Sequence, residues 1–258
     1  MTTACSPATP AATRFSGRVL LVTGGAGGLA AATARRYAGE GGRVVVTDVE
    51  AERAEAVAAE LPGSIGIGCD VADEDAVRGA VAMARNRMGR IDAVLNAAGY
   101  AEHCPIEDFS LARWNRMLAV HVTGTFLVCR EALPLLREAG GGSIVNLASV
   151  AALVARPHLA AYSAAKGAIV SFSRQLALDV GADGIRVNVL APGTVRTPMT
   201  QRLIEADDDA EGRMAEVTML GRIGEADEVS AAACFLLSGE SSFFTGSVLV
   251  PDGGMTSR

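Results

Sequence analysis

The sequence predicts a single doubly wound α/β domain with a mostly parallel seven-stranded sheet, and three observations carry that prediction. From Arg18 onward, short β-branched runs alternate with longer stretches of helical period. The short runs are apolar without polar alternation, which marks strands covered on both faces and hence a parallel sheet. No linker or shift of composition divides residues 17–258, so the repetition belongs to one sheet. Right-handed strand–helix–strand crossovers then place helices on both of its faces.

The elements follow in order. RVLLVTG from Arg18 reads as the first strand, with a helix over Leu29–Gly39, and RVVVTD from Arg43 as the second, with a helix over Glu50–Leu61. SIGIGCDV from Ser64 is the third, before a helix over Asp73–Met88; IDAVLNAAG from Ile91 is the fourth, before a long helix containing Trp114–Leu136. GSIVNLAS from Gly142 is the fifth, followed by a helix from Tyr162 to Val180. IRVNVLAPG from Ile185 is the sixth and GSVLVPDGG from Gly246 the last. Residues 198–225 break this rhythm and carry Glu205, Asp207, Asp208, Asp209 and Glu211. Open α/β sheets bind ligands outside the carboxyl ends of their strands. An insertion there is expected to act as a substrate lid, with a solvated surface helix as the other reading. Residues 1–16, rich in Ala, Thr and Pro, are expected to form a flexible tail.

Composition narrows the function classes. Half of the residues are hydrophobic but only 4% are aromatic, so the core is built from small apolar side chains. No uninterrupted apolar run approaches the roughly 18 residues of a spanning helix, so no membrane partner is expected. A net charge of −6 leaves no basic face for nucleic acid. The five cysteines are odd in number and unpaired in spacing, as expected of reduced thiols in a cytoplasmic protein. The three histidines lack metal-ligand spacing, so no metal is expected.

Two groups of residues carry chemistry. Thr23–Ala30, TGGAGGLA, lies between a strand and a helix. Gly24, Gly27 and Gly28 permit a tight turn, and amides from Gly28 and Leu29 at the helix N-terminus can receive a pyrophosphate. Asp48 ends the next strand, where an acid can bind the adenosine ribose hydroxyls, the Rossmann arrangement for a dinucleotide. Asp48 also favours NAD over NADP. A carboxylate ~4 Å from a 2′-phosphate is repelled by about 4 kcal/mol per charge pair at an effective dielectric of ~20, and by less in solvent.

The second group lies later in the chain. Tyr162 and Lys166, four residues apart on a helix, share one face. A free phenol has a pKa near ~10, which a neighbouring ammonium would lower toward neutrality. Ser149, ending the fifth strand, could donate to a developing oxyanion. Ser163–Lys166 also satisfies the S-x-x-K pattern of acyl-transferring hydrolases, but the S-D-N and K-T-G elements that accompany it are absent from the sequence.

In this order the motifs resemble the short-chain dehydrogenase/reductase family over about Gly17 to Thr256. They comprise the TGGAGGLA turn, CDV around Asp70, NAAG at Asn96–Gly99, Ser149, YSAAK at Tyr162–Lys166, PGTVRTPM from Pro192, and PDGG near the C-terminus. The resemblance implies Ser149, Tyr162 and Lys166 as a catalytic trio. It implies that Asp70 and Val71 flank the adenine and that Asn96, Ala97 and Gly99 lie along the cofactor. Pro192, Gly193, Val195 and Thr197 would line its nicotinamide end, and Tyr162 and Lys166 would touch it too. The activity implied is NAD-dependent interconversion of a secondary alcohol and a ketone. Its partners would be a small alcohol or ketone and a homotetramer built through the two long helices.

The alternatives are a 3-oxoacyl reductase of fatty-acid type and a non-catalytic dinucleotide sensor. The acidic lid argues against docking an acidic carrier protein, and retention of Tyr162 and Lys166 argues against the sensor. Three positions depart from the family pattern: Ala30, Ala97 and His121. His121 stands where most relatives carry the asparagine that anchors a relay water. The imidazole could take part in catalysis as a proton relay, or be a packed helix residue beside a backbone carbonyl that holds the water.

Overall fold

A parallel strand pair needs a crossover, and the apolar runs of this chain are each followed by a helix that supplies one. The computed structural model describes residues 13–207 and 209–258. Cys5, Asp208, residues 1–12 of the expected tail and the Met199 side chain lie outside the described residues. The first half runs β1 (Val19–Thr23), α1 (Gly28–Gly39), β2 (Arg43–Asp48), α2 (Ala51–Ala59), β3 (Ile65–Gly68), α3 (Glu74–Met88) and β4 (Ala93–Asn96). The second half begins with α4 (Leu111–Leu118), α5 (Gly124–Glu138), β5 (Gly142–Leu147), α6 (Ala160–Val180) and β6 (Ile185–Leu190). It ends with β7 (Val195–Arg196), α7 (Pro198–Ala206), α8 (Ala210–Glu216), β8 (Gly224–Glu225), α9 (Ala226–Leu237) and β9 (Val248–Leu249).

Seven strands form one sheet in the order β3-β2-β1-β4-β5-β6-β9, and every ladder in it is parallel. The strand order reverses between β1 and β4, which opens a crevice at their carboxyl ends. Register places Thr23 beside Thr47 and Asn96, and Asn96 beside Asn146, so the motif residues end at one level. One sheet face packs on α3, α5 and α6 through side chains such as Val81, Leu127 and Leu176. The other packs on α1, α2 and α9 through Ala30, Ala34, Ala54 and Val229. Ala30, the methyl in place of the third glycine, is buried in this layer between α1 and the sheet.

Three elements differ from the sequence expectation. The helix expected around Trp114–Leu136 is continuous from Leu111 to Glu138, but a π turn over Ala119–Thr123 interrupts its α geometry at His121. By length and composition this 28-residue stretch could cross a membrane, although no such run is evident from the sequence; half of its apolar window is buried as a core helix. Helix α9, unexpected from the pattern, fills the face beside α1. The last strand is two residues long, because Pro251 and the turn at Gly253–Gly254 end it.

The segment 198–225 folds as two short helices, and β7 and β8 pair in parallel at its two ends like a neck. Three of its six described acids are paired with arginine. Glu211 and Glu225 meet Arg196, and Asp207 meets Arg213.

Candidate active site

Glycine spacing after β1 determines what the crevice can hold. Gly24 has φ +60, and a Cβ there would stand 2.7 Å from the Ala98 Cα. A Cβ on Gly25 would meet Val46, and one on Gly28 would meet Pro198 and Thr197 at 2.9–3.0 Å. The turn is therefore a cradle whose floor is bare backbone. Gly27 caps α1 without any side-chain cap, so the first amides of the helix remain open to an anion. Asp48 joins this turn directly. One carboxylate oxygen accepts the Ala26 amide at 3.1 Å and the other the Glu50 amide at 3.2 Å. These residues fit the diphosphate and ribose of a nicotinamide dinucleotide.

The remaining cofactor candidates line the same crevice. Asp70 accepts the Ala72 amide and the Arg116 guanidinium, at 2.9 and 3.1 Å, and Val71 packs against Gly124. Asn96 is buried; its amide nitrogen donates inward to Asn146 at 2.8 Å, while its Oδ1 has no partner. The Ala97 and Ala98 amides donate to the Thr23 hydroxyl at 3.1 and 3.2 Å, which anchors this turn without the asparagine that Ala97 replaces. Pro192 accepts the Val150 amide through its carbonyl, and Gly193 sits against Asp252. Val195 is buried in β7, while the Thr197 hydroxyl caps α7 and its side chain lies over Gly28.

The two chemical halves meet at the carboxyl end of β5. Ser149 follows that strand and opens a short 3-10 turn, accepting the Ala151 amide at 3.2 Å. Tyr162 and Lys166 lie on the first turns of α6, and Lys166 is only 3% exposed. Its ammonium donates to the Leu147 carbonyl at 2.6 Å and lies 5.5 Å from the centre of the Tyr162 ring. Burial pulls the Lys166 amine down to about 7. Burial pushes the Tyr162 phenol up, while the Ser149 hydroxyl pulls it down. Burial is the larger of the two effects on the phenol, and its net shift is upward. The amine is engaged by Leu147, and desolvation dominates at the phenol.

His121 sits in the π turn, 1% exposed, with its ring edge-on to Tyr162 at 5.6 Å. Its Nε2 lies 2.9 Å from the Tyr100 carbonyl and 3.2 Å from the Tyr100 amide. Which of the two contacts Nε2 makes depends on the tautomer, and Nδ1 is buried without a partner. Burial first, and the Lys166 charge second, lower its pKa to about 3. At neutral pH the ring is therefore uncharged. The His121 carbonyl meanwhile accepts the Thr125 hydroxyl at 2.7 Å.

Some functional positions escaped the sequence reading. Thr23 stands immediately before the glycines, a position that hints at its role, but the Leu147 carbonyl leaves no trace in residue types. Arg53, which pairs with Glu50 and reaches the Ala26 carbonyl at 3.3 Å, places a cation beside Asp48.

Comparison with known proteins fits this geometry. The model described as enoyl-(acyl carrier protein) reductase matches residues 24–256. The chain is 42% identical over 248 residues to a D-threitol dehydrogenase of Mycolicibacterium smegmatis, covering 94% of each chain. It is 40% identical over 245 residues to a 2,5-dichloro-2,5-cyclohexadiene-1,4-diol dehydrogenase of Sphingobium indicum, covering 94% of this chain and 98% of that one. The crystal structure of levodione reductase superposes with a TM-score of 0.89 at 35% identity, covering 95% of this chain and all of the other. Nucleotide cradle, buried lysine and these relatives together assign the chain to the short-chain dehydrogenase/reductase family, as an oxidoreductase acting on CH–OH groups with a nicotinamide cofactor.

Proposed function

We propose that this enzyme interconverts a secondary alcohol and a ketone with NAD(H), using Tyr162 as general acid and base. The observation that carries the reading is the buried Lys166, whose ammonium is held by Leu147 beside the Tyr162 ring and one turn along α6 from it. A bound nicotinamide would supply or accept the hydride. In reduction, Tyr162 gives its proton to the carbonyl oxygen as the carbon is reduced; in oxidation it takes the hydroxyl proton. Ser149 donates to the same oxygen and orients it. Lys166 binds ribose hydroxyls with its free donors and supplies positive charge when Tyr162 is deprotonated. His121 contributes position rather than protons, by fixing Tyr100 and bracing the Tyr162 ring.

Asp48 supports NAD over NADP, and Arg53 does not offset it because Glu50 already neutralises that guanidinium. The neck formed by β7 and β8 supports reading residues 198–225 as a substrate lid within the domain of residues 17–258. Exposed Phe126 on α5 and Leu178 on α6 support a homotetramer built through those helices. Cys69, Cys104, Cys129 and Cys234 are all unpaired, which fits a reducing, cytoplasmic setting. Relatives named for small free alcohols favour such a substrate over a carrier-linked chain.

A panel of ketones and secondary alcohols, assayed with NAD(H) and NADP(H), tests the reading. We expect turnover with at least tenfold preference for NAD(H), and a tenfold or larger loss of that preference in Asp48→Ser. A preference for NADP(H) would overturn the role given to Asp48, and cofactor binding without any turnover would favour a sensor.

A further inference from the structure

The turn after β1 and the start of α2 are joined by a closed circuit of contacts. The Ala26 amide donates to one oxygen of Asp48 at 3.1 Å, and the Glu50 amide donates to the other at 3.2 Å. The Glu50 carboxylate accepts the Arg53 guanidinium at 2.6 Å, and Arg53 returns to the Ala26 carbonyl at 3.3 Å. Asp48 and Arg53 therefore hold the same residue, one at its amide and the other at its carbonyl. A carboxylate and a guanidinium both border the gap between the glycine turn and the end of β2. That gap is where the adenosine ribose of a dinucleotide belongs.

Folding does not account for the Glu50 side chain. Glu50 is the N-cap of α2, yet its side chain caps no amide of the helix. Its backbone carbonyl accepts the Arg53 and Ala54 amides instead. The side chains of Arg53 and Glu50 are 54% and 60% exposed, and an exposed pair of this kind adds little to stability. What the pair changes is the charge beside the turn.

The circuit sets two acids, Asp48 and Glu50, against one base, Arg53. A 2′-phosphate placed on this ribose meets the Asp48 carboxylate and finds the Arg53 guanidinium already occupied. Without the Glu50 carboxylate, the same guanidinium has a fork of donors that matches phosphate oxygens.

We propose that Glu50 is a specificity-determining residue for the cofactor. By occupying Arg53 it withholds the cation of this circuit from a 2′-phosphate and reinforces Asp48 in selecting NAD. The inference rests on the dinucleotide reading above and deepens it, by giving the two acids different roles. Asp48 repels the phosphate by its own charge. Glu50 acts through Arg53, so the effect of removing Glu50 depends on Arg53 being present.

The test is calorimetric titration of ADP-ribose and of 2′-phospho-ADP-ribose into the full-length protein, which needs neither substrate nor turnover. Wild type, Glu50→Gln, Arg53→Met and the double variant are compared by the ratio of the two dissociation constants, phosphorylated over plain. The ratio should be about tenfold or more in the wild type and about three- to tenfold lower in Glu50→Gln. The same Glu50→Gln change made in Arg53→Met should lower it by less than about twofold. Ratios of kcat/KM for NADH and NADPH should follow this pattern, and melting temperatures verify that the variants fold. A Glu50→Gln ratio within twofold of the wild type overturns the inference. So does an equal fall with and without Arg53, which would give Glu50 a repulsion of its own. Either result leaves Asp48 and the NAD reading standing. Tighter binding of the phosphorylated ligand by the wild type would overturn the NAD reading as well. Binding of neither ligand would remove the dinucleotide reading, and this inference with it.

Discussion

A lysine with 3% of its surface exposed must be held by something other than water. Lys166 has one backbone carbonyl, that of Leu147, and the nearby face of Tyr162. Moving its pKa from the usual lysine value to about 7 marks a buried amine that the fold tolerates at a cost. At ~1.4 kcal/mol per pK unit that cost is on the order of several kcal/mol. Replacing it with methionine orphans the Leu147 carbonyl, a loss of about 1–3 kcal/mol. We therefore expect Lys166→Met to lower kcat by about 10²-fold or more while raising the melting temperature by several degrees. The stability gain has a defined pH dependence. Between pH 7 and the ordinary lysine value the unfolded chain holds the extra proton, so wild-type stability rises with pH across that window. The advantage of the variant should be greatest at or below pH 7 and should shrink as pH climbs, which melting curves from pH 6 to 10 will check.

The same scale decides His121. With its pKa at about 3, the imidazole stays neutral through the range in which the enzyme would be assayed. His121→Asn should therefore leave the inflections of the kcat–pH profile between pH 5 and 9 where they are, while kcat itself drops severalfold as the Tyr100 contact is lost. A profile whose inflection moves by a unit or more would restore the relay.

At the scale of elements, the π turn and the loop after β4 are fitted to each other. A Cβ on Gly99 would stand 2.2 Å from the His121 Cε1, so an alanine there must push the ring or the loop aside. We expect Gly99→Ala to cost about 1–3 kcal/mol and to impair turnover, since the displaced ring braces Tyr162. Gly79 provides the contrast. It lies inside α3 with open space around its Cβ direction, so Gly79→Ala should stabilise the protein by about 0.5–1 kcal/mol without touching the site. Chemical denaturation of the two variants side by side checks both signs. A buried asparagine pair, Asn96 on β4 and Asn146 on β5, ties the strands that carry the two site halves and continues to Ser173 on α6.

Across the whole molecule, the apolar surface left over is unevenly placed. Phe126 and Leu178 are 43% and 79% exposed on α5 and α6, with Phe126 meeting Phe172 edge-on at 6.4 Å. Burying such a surface in a second copy is the expectation of the tetramer proposal. Light scattering should return four times the 26.4 kDa chain mass for the wild type and a smaller species for Phe126→Glu with Leu178→Glu. A monomer for the wild type would sink the assembly and leave the chemistry unaffected.

Sheet class, the glycine turn and the shared helix face of Tyr162 and Lys166 were legible in the chain because each depends on local spacing, whereas the grouping of Ser149 with that pair came from the family resemblance. Periodicity reports which faces are covered, and an offset of four on a helix brings two side chains together. Other features needed the folded chain. The carbonyl that holds Lys166 belongs to every residue type alike, and the inward turn of Asn96 follows from its register with Asn146. The π turn places His121 where it meets Tyr100, Thr125 and Tyr162 at once, which residue spacing does not show. The sequence by itself determined which groups are available and roughly where along the sheet they end. Tertiary structure decided their protonation and partners, because desolvation and hydrogen bonding are properties of a place in the fold rather than of a position in the chain.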